Sequence, residues 1–256
     1  MSAVEAKSGQ PAGCKMSLES RATEEEIIET GKLSRKDVVE SFRFIERANR
    51  WLGGTEATLS FFRRECAAWE RGRLYRLLDV GCGACDIPLA LARFCRARGY
   101  KIQVEGLDAH PLIIELARQK CRAFPEINPI QADIFEYQGS RAYDYILLSN
   151  FIHHFSEEQI ISLLKKLRPL SRRKILINDL WRTREAYFWA WLVTIFAPPV
   201  IKHDARLSIR RGFRPEEIEN LMKEAGISFY SLEDKFGYRF LLVIGPDTPG
   251  CQFLHI

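Results

Sequence analysis

Four aspartates and a run of small residues, spread over Asp79 to Asp133, are the positions whose types and spacing point most clearly to chemistry. Asp79 and Val80 end a short apolar run that begins at Leu74. Gly81, Cys82, Gly83, Ala84 and Cys85 follow, and Asp86 and Pro88 then open a stretch in which Ile87, Leu89, Leu91 and Phe94 recur at roughly helical spacing. A strand, a turn of small residues and a helix form a ligand crevice at the carboxyl end of a parallel sheet. Glycine there lets the backbone approach the ligand, because a Cβ would collide with it. Asp108 stands where a second strand would end, and a carboxylate there can accept both ribose hydroxyls of an adenosine. Asp133 ends a third apolar run, within reach of an adenine amino group. A dinucleotide loop of the G-x-G-x-x-G type has glycine where this chain has Asp86, and a carboxylate at Asp79 repels a pyrophosphate. Facing a cation, Asp79 helps instead: a sulfonium that also carries an α-amino group satisfies the pattern, and a dinucleotide does not.

His153 and His154 follow a fourth apolar run, YDYILLS at Tyr143 to Ser149, at the same end of the expected sheet. Histidine titrates near neutrality and can take a proton from a phenol or hydroxyl. The competing role is packing against the ligand or capping the next helix. His154, nearer the helix start, is the preferred base. His203 beside Asp204 is a second imidazole–carboxylate candidate. Cys82 and Cys85 make a C-x-x-C, yet no second pair and no histidine cluster supplies the remaining ligands of a zinc site. No metal is expected, and both thiols read as small loop residues.

The elements that must position these residues alternate. Strands are expected at Ile102 to Leu107, Ile127 to Ala132, Tyr143 to Ser149 and Lys174 to Ile177, and the pair Ile227 to Leu232 and Tyr238 to Ile244 reads as an antiparallel hairpin at the sheet edge. Ser156 with Gln159 forms a capping box for a helix through Leu167. Pro111 and Pro215 sit where a first helical turn tolerates proline. Before the first strand, Thr23 to Glu26 is a Thr-x-x-Glu box, Ser34 caps a helix lined by Val38, Phe42, Ile45 and Leu52, Gly53-Gly54 stops it, and Thr55 starts another to about Arg71. The alternation argues for a Rossmann-like, doubly wound, mostly parallel sheet with an antiparallel strand. Residues 1–22 are expected to be a disordered leader without an apolar signal segment, 23–72 a helical prefix acting as lid or packing layer, 73–245 the main domain, and 246–256 a tail.

LLDVGCGACDIPLALA, GLDAHP, QADIF and YDYILLSNFIHHF, in this order and spacing, resemble the class I S-adenosylmethionine-dependent methyltransferases over roughly Leu74 to Ile244. The resemblance implies a seven-stranded sheet with a reversed last strand and S-adenosylmethionine as cofactor. It places Asp79, Gly81, Cys82, Gly83 and Asp86 around the methionine end, Asp108 and Ala109 at the ribose, Asp133 and Ile134 at the adenine, and Ser149 and Asn150 at the end of the fourth strand. Cys85, in place of the family's third glycine, is expected to narrow the pocket or move the loop.

The acceptor is read from a separate segment. Tyr187 to Ile201 is apolar on all sides and, at about fifteen residues, shorter than the roughly twenty needed to span a bilayer. Within an insertion at 180–214 it is expected to roof an apolar pocket, with Tyr187, Trp191 and Phe196 as contacts, Trp51 added by the prefix and Arg210 as an anchor for an anionic group. Core packing and shallow peripheral membrane contact are its other readings. The formal charge of +5 is mild and spread along the chain, so nucleic-acid binding does not follow from it. Seven cysteines at irregular spacing fit a reducing cytoplasm. The expected activity is methyl transfer to a small phenolic, quinone-like or polyketide-like acceptor, at oxygen. Carbon methylation of a quinone-type ring, a nucleotide-binding oxidoreductase and a non-catalytic cofactor-binding partner protein are the alternatives.

Overall fold

Seven runs of apolar and β-branched residues pair edge to edge, and the order in which they pair creates the crevice. The computed structural model describes residues 18–139 and 142–246. Its strands are β1 (Leu74–Val80), β2 (Lys101–Asp108), β3 (Ile127–Gln131), β4 (Tyr143–Ser149), β5 (Ser171–Leu180), β6 (Tyr230–Lys235) and β7 (Arg239–Ile244). They form one sheet in the order β3-β2-β1-β4-β5-β7-β6. β3 through β5 are parallel, while β7 runs antiparallel to both β5 and β6. The hairpin expected at the edge is therefore threaded so that its second strand lies inside, against β5. The chain leaves β1 toward β2 on one side and returns as β4 on the other, and ligands bind at such a switch point, outside the carboxyl ends of the strands.

Eight helices, α1 (Arg35–Trp51), α2 (Gly54–Glu65), α3 (Asp86–Arg98), α4 (Pro111–Lys120), α5 (Glu157–Leu167), α6 (Arg184–Val193), α7 (Pro199–Arg211) and α8 (Pro215–Glu224), accompany the sheet. Successive strand residues face opposite ways. Leu77, Tyr145 and Leu147 thus meet Phe61 and Phe62 of α2 and Leu91 of α3 on one side. Leu78, Ile146 and Leu148 meet Leu163 of α5 and Ile218 of α8 on the other. The capping box of Ser156 and Gln159 forms as expected, and Thr183 caps α6 through Ala186 N–H.

The prefix differs from its sequence reading in three places. Glu26 and Glu29, not Thr23, make the capping box, around a 3-10 turn at Ile27–Thr30. α2 starts at Gly54 with Gly53 as its cap and ends at Glu65. Gly53 sits at φ +84, and a Cβ there would lie 2.6 Å from the Phe236 carbonyl oxygen, so the α1–α2 corner requires glycine. Finally, residues 18–22 do not behave as a leader: Arg21 donates to the carbonyls of Arg211, His153 and Phe155 and lies 4.1 Å over the Phe213 ring. Residues 1–17 and 247–256 of the expected leader and tail lie outside the described residues.

Asn178 of β5 ties the prefix to the sheet. Fully buried, it donates to Gly54 O at 2.7 Å and to Thr58 Oγ1 at 3.3 Å. Replacing it with Ala removes both bonds from this buried interface. A destabilisation of about 1–3 kcal/mol is expected in urea unfolding, with proteolysis beginning in the prefix.

Candidate ligand and active site

A cavity of about 870 Å³ opens at the carboxyl ends of β1, β2 and β4. Its wall includes each of the residues expected at an adenosyl ligand: Asp79, Gly81, Cys82, Gly83, Asp86, Asp108, Ala109, Asp133, Ile134, Ser149 and Asn150. β1 delivers Asp79, 2 % exposed, with an Oδ1 that has no hydrogen-bond partner among the described residues. Burial, then the neighbouring Asp86 and Asp108, push its pKa well above the usual carboxylate range. Asp108 accepts from His110 N–H at 2.9 Å and from Gly83 N–H at 3.1 Å, and burial raises it as well. Asp86 accepts from the Asn49 amide at 3.0 Å and is raised by burial. Three carboxylates around one space, Asp79 buried and Asp86 and Asp108 partly so, with an acceptor oxygen left over, suit a ligand that carries positive charge. Ser41 Oγ, His110 Nδ1, Ser149 Oγ and Arg239 Nε, in residues of the same wall, are likewise buried without partners among the described residues.

The loop between β1 and α3 owes its shape to backbone freedom. Gly81 is at φ +71, and a Cβ on it would lie 2.1 Å from the Phe151 ring. Cys85 adopts φ +60, a conformation that costs a non-glycine residue roughly 1–2 kcal/mol. Its side chain neither narrows the cavity nor lines it. Fully buried in the core cluster beneath the loop, it contacts Cys82 and Cys121. The contact with Cys85 favours the Cys82 thiolate, but burial and Asp79 outweigh it and raise the pKa. Cys121, hydrogen-bonded to Cys85 and buried, is raised too. Such thiols are poor nucleophiles, which agrees with a packing role.

Two histidines after β4 sit at the other end of the cavity. His153 is 2 % exposed. Its Nδ1 lies 2.6 Å from Asp179 Oδ1 and its Nε2 3.6 Å from Glu26 Oε1. Burial disfavours its charge, but Asp179 and Glu26 prevail and raise its pKa to about 9. At neutral pH His153 is an imidazolium held between carboxylates and has no lone pair to offer as a base. His154 keeps part of its edge open. Its Nδ1 lies 2.5 Å from Glu29 Oε1, whose other oxygen accepts from Arg211 at 2.6 Å. Burial opposes the Glu29 charge, but His154 and Arg211 outweigh it and bring Glu29 to about 2. Glu26, His153 and His154 bring one donor atom each within 4.8 Å of one another, as metal ligands would. The same groups pair with one another as a charge network, His153 lying between Asp179 and Glu26.

The remaining site expectations need correction. His203 is half exposed and absent from the cavity wall, and it lies 2.9 Å from Asp204 Oδ1. Asp204 instead accepts from Ile27 and Ile28 N–H and so anchors the prefix turn. Trp51 is 71 % exposed beneath Arg50. Tyr187 packs on Leu180, Ala186 and Ile209. Trp191 and Phe196 point to solvent, and Arg210 pairs with Glu24 at 3.1 Å. None of these five lines the cavity. For Tyr187 and Trp191 the cause lies in the rotation of α6, which turns Ala190 and Val193, three residues apart on one face, toward the cavity.

Glu26, Glu29, Ser208 and Arg239, all in the wall, carry no sequence signal because their partners lie far along the chain. Arg239, 5 % exposed, donates to Asn150 Oδ1 at 2.6 Å and to Asn49 Oδ1 at 3.4 Å. Burial lowers it to about 10, opposed by Asp179 and Asp86. Its only hint is a lone charge at the start of the apolar run Arg239–Ile244.

Comparison with known proteins agrees with this geometry. The profile of the methyltransferase domain family matches residues 77–173. A ubiquinone biosynthesis O-methyltransferase of Rickettsia akari is 28 % identical over 163 residues, covering 61 % of this chain and 60 % of that protein. One from Rickettsia prowazekii is 27 % identical over 166 residues, covering 62 % and 60 %. The alignment thus spans about three fifths of these relatives' length. Among solved structures, the plantazolicin methyltransferase in complex with SAH superposes with a TM-score of 0.63 at 16 % identity, covering 85 % of this chain and 92 % of that one. A magnesium protoporphyrin IX methyltransferase from Synechocystis PCC 6803 with bound SAH gives 0.52 at 16 % identity, covering 75 % and 84 %. At such identities the structural likeness is one of fold.

The histidine network makes stability depend on pH. His153 is raised above its unfolded value, so its contribution is complete below about pH 6.5 and is lost as pH climbs through about 9. Glu29 is depressed, so its contribution is present above about pH 4.5 and fades as pH falls through about 2. Melting temperature should fall between pH 7 and 9.5, by an amount equivalent to on the order of 2–3 kcal/mol at the alkaline end. In His153→Gln the alkaline slope should flatten. An unchanged slope in that variant would remove His153 as its source.

Proposed function

We propose that the chain is a class I S-adenosylmethionine-dependent methyltransferase, as its methyltransferase-domain match and its relatives support, and that it methylates an oxygen of a small, largely apolar phenolic or quinone-like acceptor. The observation that carries this reading is the continuity of one cavity. Its carboxylate end and the His154–Glu29 pair share a space whose wall between them includes Phe42, Ile45, Leu52, Val193, Ile201 and Ile209. The curated relatives' names, ubiquinone biosynthesis O-methyltransferases, support the same acceptor class.

When bound, S-adenosylmethionine supplies a methyl group already activated on a sulfonium, so the chain's task is placement and proton removal. Asp108 would hold the ribose hydroxyls, Asp133 and Ile134 would flank the adenine, and Gly81 and Gly83 would admit the ligand's methionine end. Asp79, with its spare oxygen, would accept from the α-amino group and offset the cationic charge. Arg239, held by Asn49 and Asn150, would take the α-carboxylate. His154, with Nδ1 turned to Glu29, receives the acceptor's hydroxyl proton at Nε2 as the oxygen attacks, and Glu29 stabilises the charge that develops on the ring. His153 is a positioning residue: pinned by Asp179, it fixes the backbone that carries His154. The apolar wall excludes water and selects a planar, poorly hydrated acceptor.

Asp108→Ala should weaken S-adenosylmethionine binding about tenfold or more in calorimetry while the circular dichroism spectrum is retained. His154→Ala should bind the cofactor as the wild type does and lose about 10²–10⁴-fold in kcat, read with labelled methyl donor against a panel of phenols, catechols and quinols. Full turnover in His154→Ala removes the base. Label appearing on ring carbon rather than oxygen replaces O-methylation by C-methylation. Binding of a nicotinamide cofactor in preference to S-adenosylmethionine would overturn the assignment as a whole.

A further inference from the structure

α6 offers one face to the cavity and another to solvent, and the solvent face is aromatic. Phe188, Trp189, Trp191, Leu192 and Val193 are 39–53 % exposed, and Phe196 just beyond the helix is fully exposed. The Phe188 ring lies 6.0 Å from that of Trp189 and 6.1 Å from that of Trp191, so these side chains make one patch. Monomeric proteins keep contiguous apolar patches small, and a larger one marks a surface that meets something apolar. Val193 belongs both to this patch and to the cavity wall, and Ala190 lines the cavity one turn earlier. The patch therefore runs up to the cavity.

The surrounding charge favours one occupant. Residues 182–214 hold seven arginines and lysines against Glu185 and Asp204 as the only carboxylates. Arg182, Arg210 and Arg211 are engaged by Glu217, Glu24 and Glu29. Arg184, at the start of α6, and Lys202, in the first turn of α7, bracket the aromatic segment in the chain, and no ion pair is formed by either among the described residues. Tryptophan and phenylalanine flanked by basic residues match the interface of a bilayer that carries anionic headgroups. No helix among the described residues is long and apolar enough to cross a membrane, so the contact is one of docking, not insertion across it.

We propose that α6 and residues 194–198 dock this protein on the surface of an anionic lipid bilayer and set the cavity beside the lipid phase. An acceptor of low water solubility then passes from bilayer to cavity along the Ala190–Val193 face without crossing bulk water. The docking stands on the patch and its charge. The delivery of an acceptor rests on the function proposed above.

The test uses the whole chain with vesicles of phosphatidylcholine alone and of phosphatidylcholine mixed with phosphatidylglycerol. Wild type should sediment with the mixed vesicles, with a blue shift in tryptophan emission, and should lose binding as salt rises. Phe188→Ser/Trp189→Ser, at two exposed sites, should weaken vesicle partitioning about tenfold or more while leaving the melting temperature and the binding of S-adenosylmethionine unchanged. Arg184→Glu/Lys202→Glu should abolish the preference for mixed vesicles. Absence of binding to either vesicle overturns the proposal. So does a wild-type dimer in light scattering that Phe188→Ser/Trp189→Ser dissociates, since the patch would then be a subunit interface. Vesicle binding with no lipophilic acceptor methylated would leave docking in place and overturn the acceptor class alone.

Discussion

The carboxylate of Asp179 is where the sheet, the loop after β4 and the prefix meet. Completely buried at the end of β5, it accepts from the backbone N–H groups of Phe151 and Ile152 at 3.0 Å each and from Leu180 at 2.8 Å. It also holds His153 Nδ1 at 2.6 Å. A charge so placed is costly to desolvate and persists only because each lone pair finds a donor. Burial opposes its charge, but His153 outweighs that and lowers its pKa below the ordinary range. From His153 the network passes to Glu26, and Glu26 takes a hydrogen bond from Ser208 of α7. One ion thus fixes the relative placement of β4, β5, the prefix turn and the helices beyond α6. Removing either partner of the buried pair leaves the other uncompensated, a loss of about 3–5 kcal/mol.

The two ends of the cavity carry opposite electrostatic problems. Around Asp79, Asp86 and Asp108 negative charge is in excess: Arg239 and Lys120 act on Asp86, yet burial outweighs them and raises all three carboxyls. Near His154 each charge has an opposite partner: Glu29 faces Arg211, and His153 faces Asp179 and Glu26. A site that is under-compensated where the donor sits and compensated where the acceptor sits binds a cation at one end and admits a neutral molecule at the other. This division is the one that the proposed methyl transfer from a sulfonium to a phenol calls for.

How much of this was legible follows from the range of each interaction. The β1–α3 loop, Asp108 and Asp133 were readable because strand, turn and helix are local, and because the pleat places strand-end residues at one rim. The Ser156–Gln159 box was readable for the same reason: cap and partner are three residues apart. Glu26, Glu29 and Arg239 were not, since the partners that place them in the site are about ninety residues or more away along the chain. The orientation of α6 was not readable either. A helix apolar on all sides has no periodicity to say which face is inside, so Tyr187 and Trp191 looked as good as Ala190 and Val193. Cys85 misled because its position in the loop suggested a side chain in the pocket, whereas its φ of +60 turns it into the core.

The outward face of α6 and the inward face of the cavity belong to one ten-residue helix, and this constrains both. Aromatic side chains on the outer face cannot be traded for charges without cost if the acceptor is to arrive from an apolar phase. Small residues on the inner face keep the cavity open beside it. The cap at Thr183 and the contact of α6 with α7 hold the helix at its rotation, and α7 in turn is tied through Asp204 and Ser208 to the prefix turn that carries Glu26 and Glu29. A displacement of α6 on a surface is therefore coupled, through α7, to the carboxylates that face His153 and His154. Rigid packing transmits such shifts because close-packed interiors have no slack to absorb them. In this protein the outward aromatic face of α6, the cavity wall and the pair His154–Glu29 are consecutive layers of one packed unit.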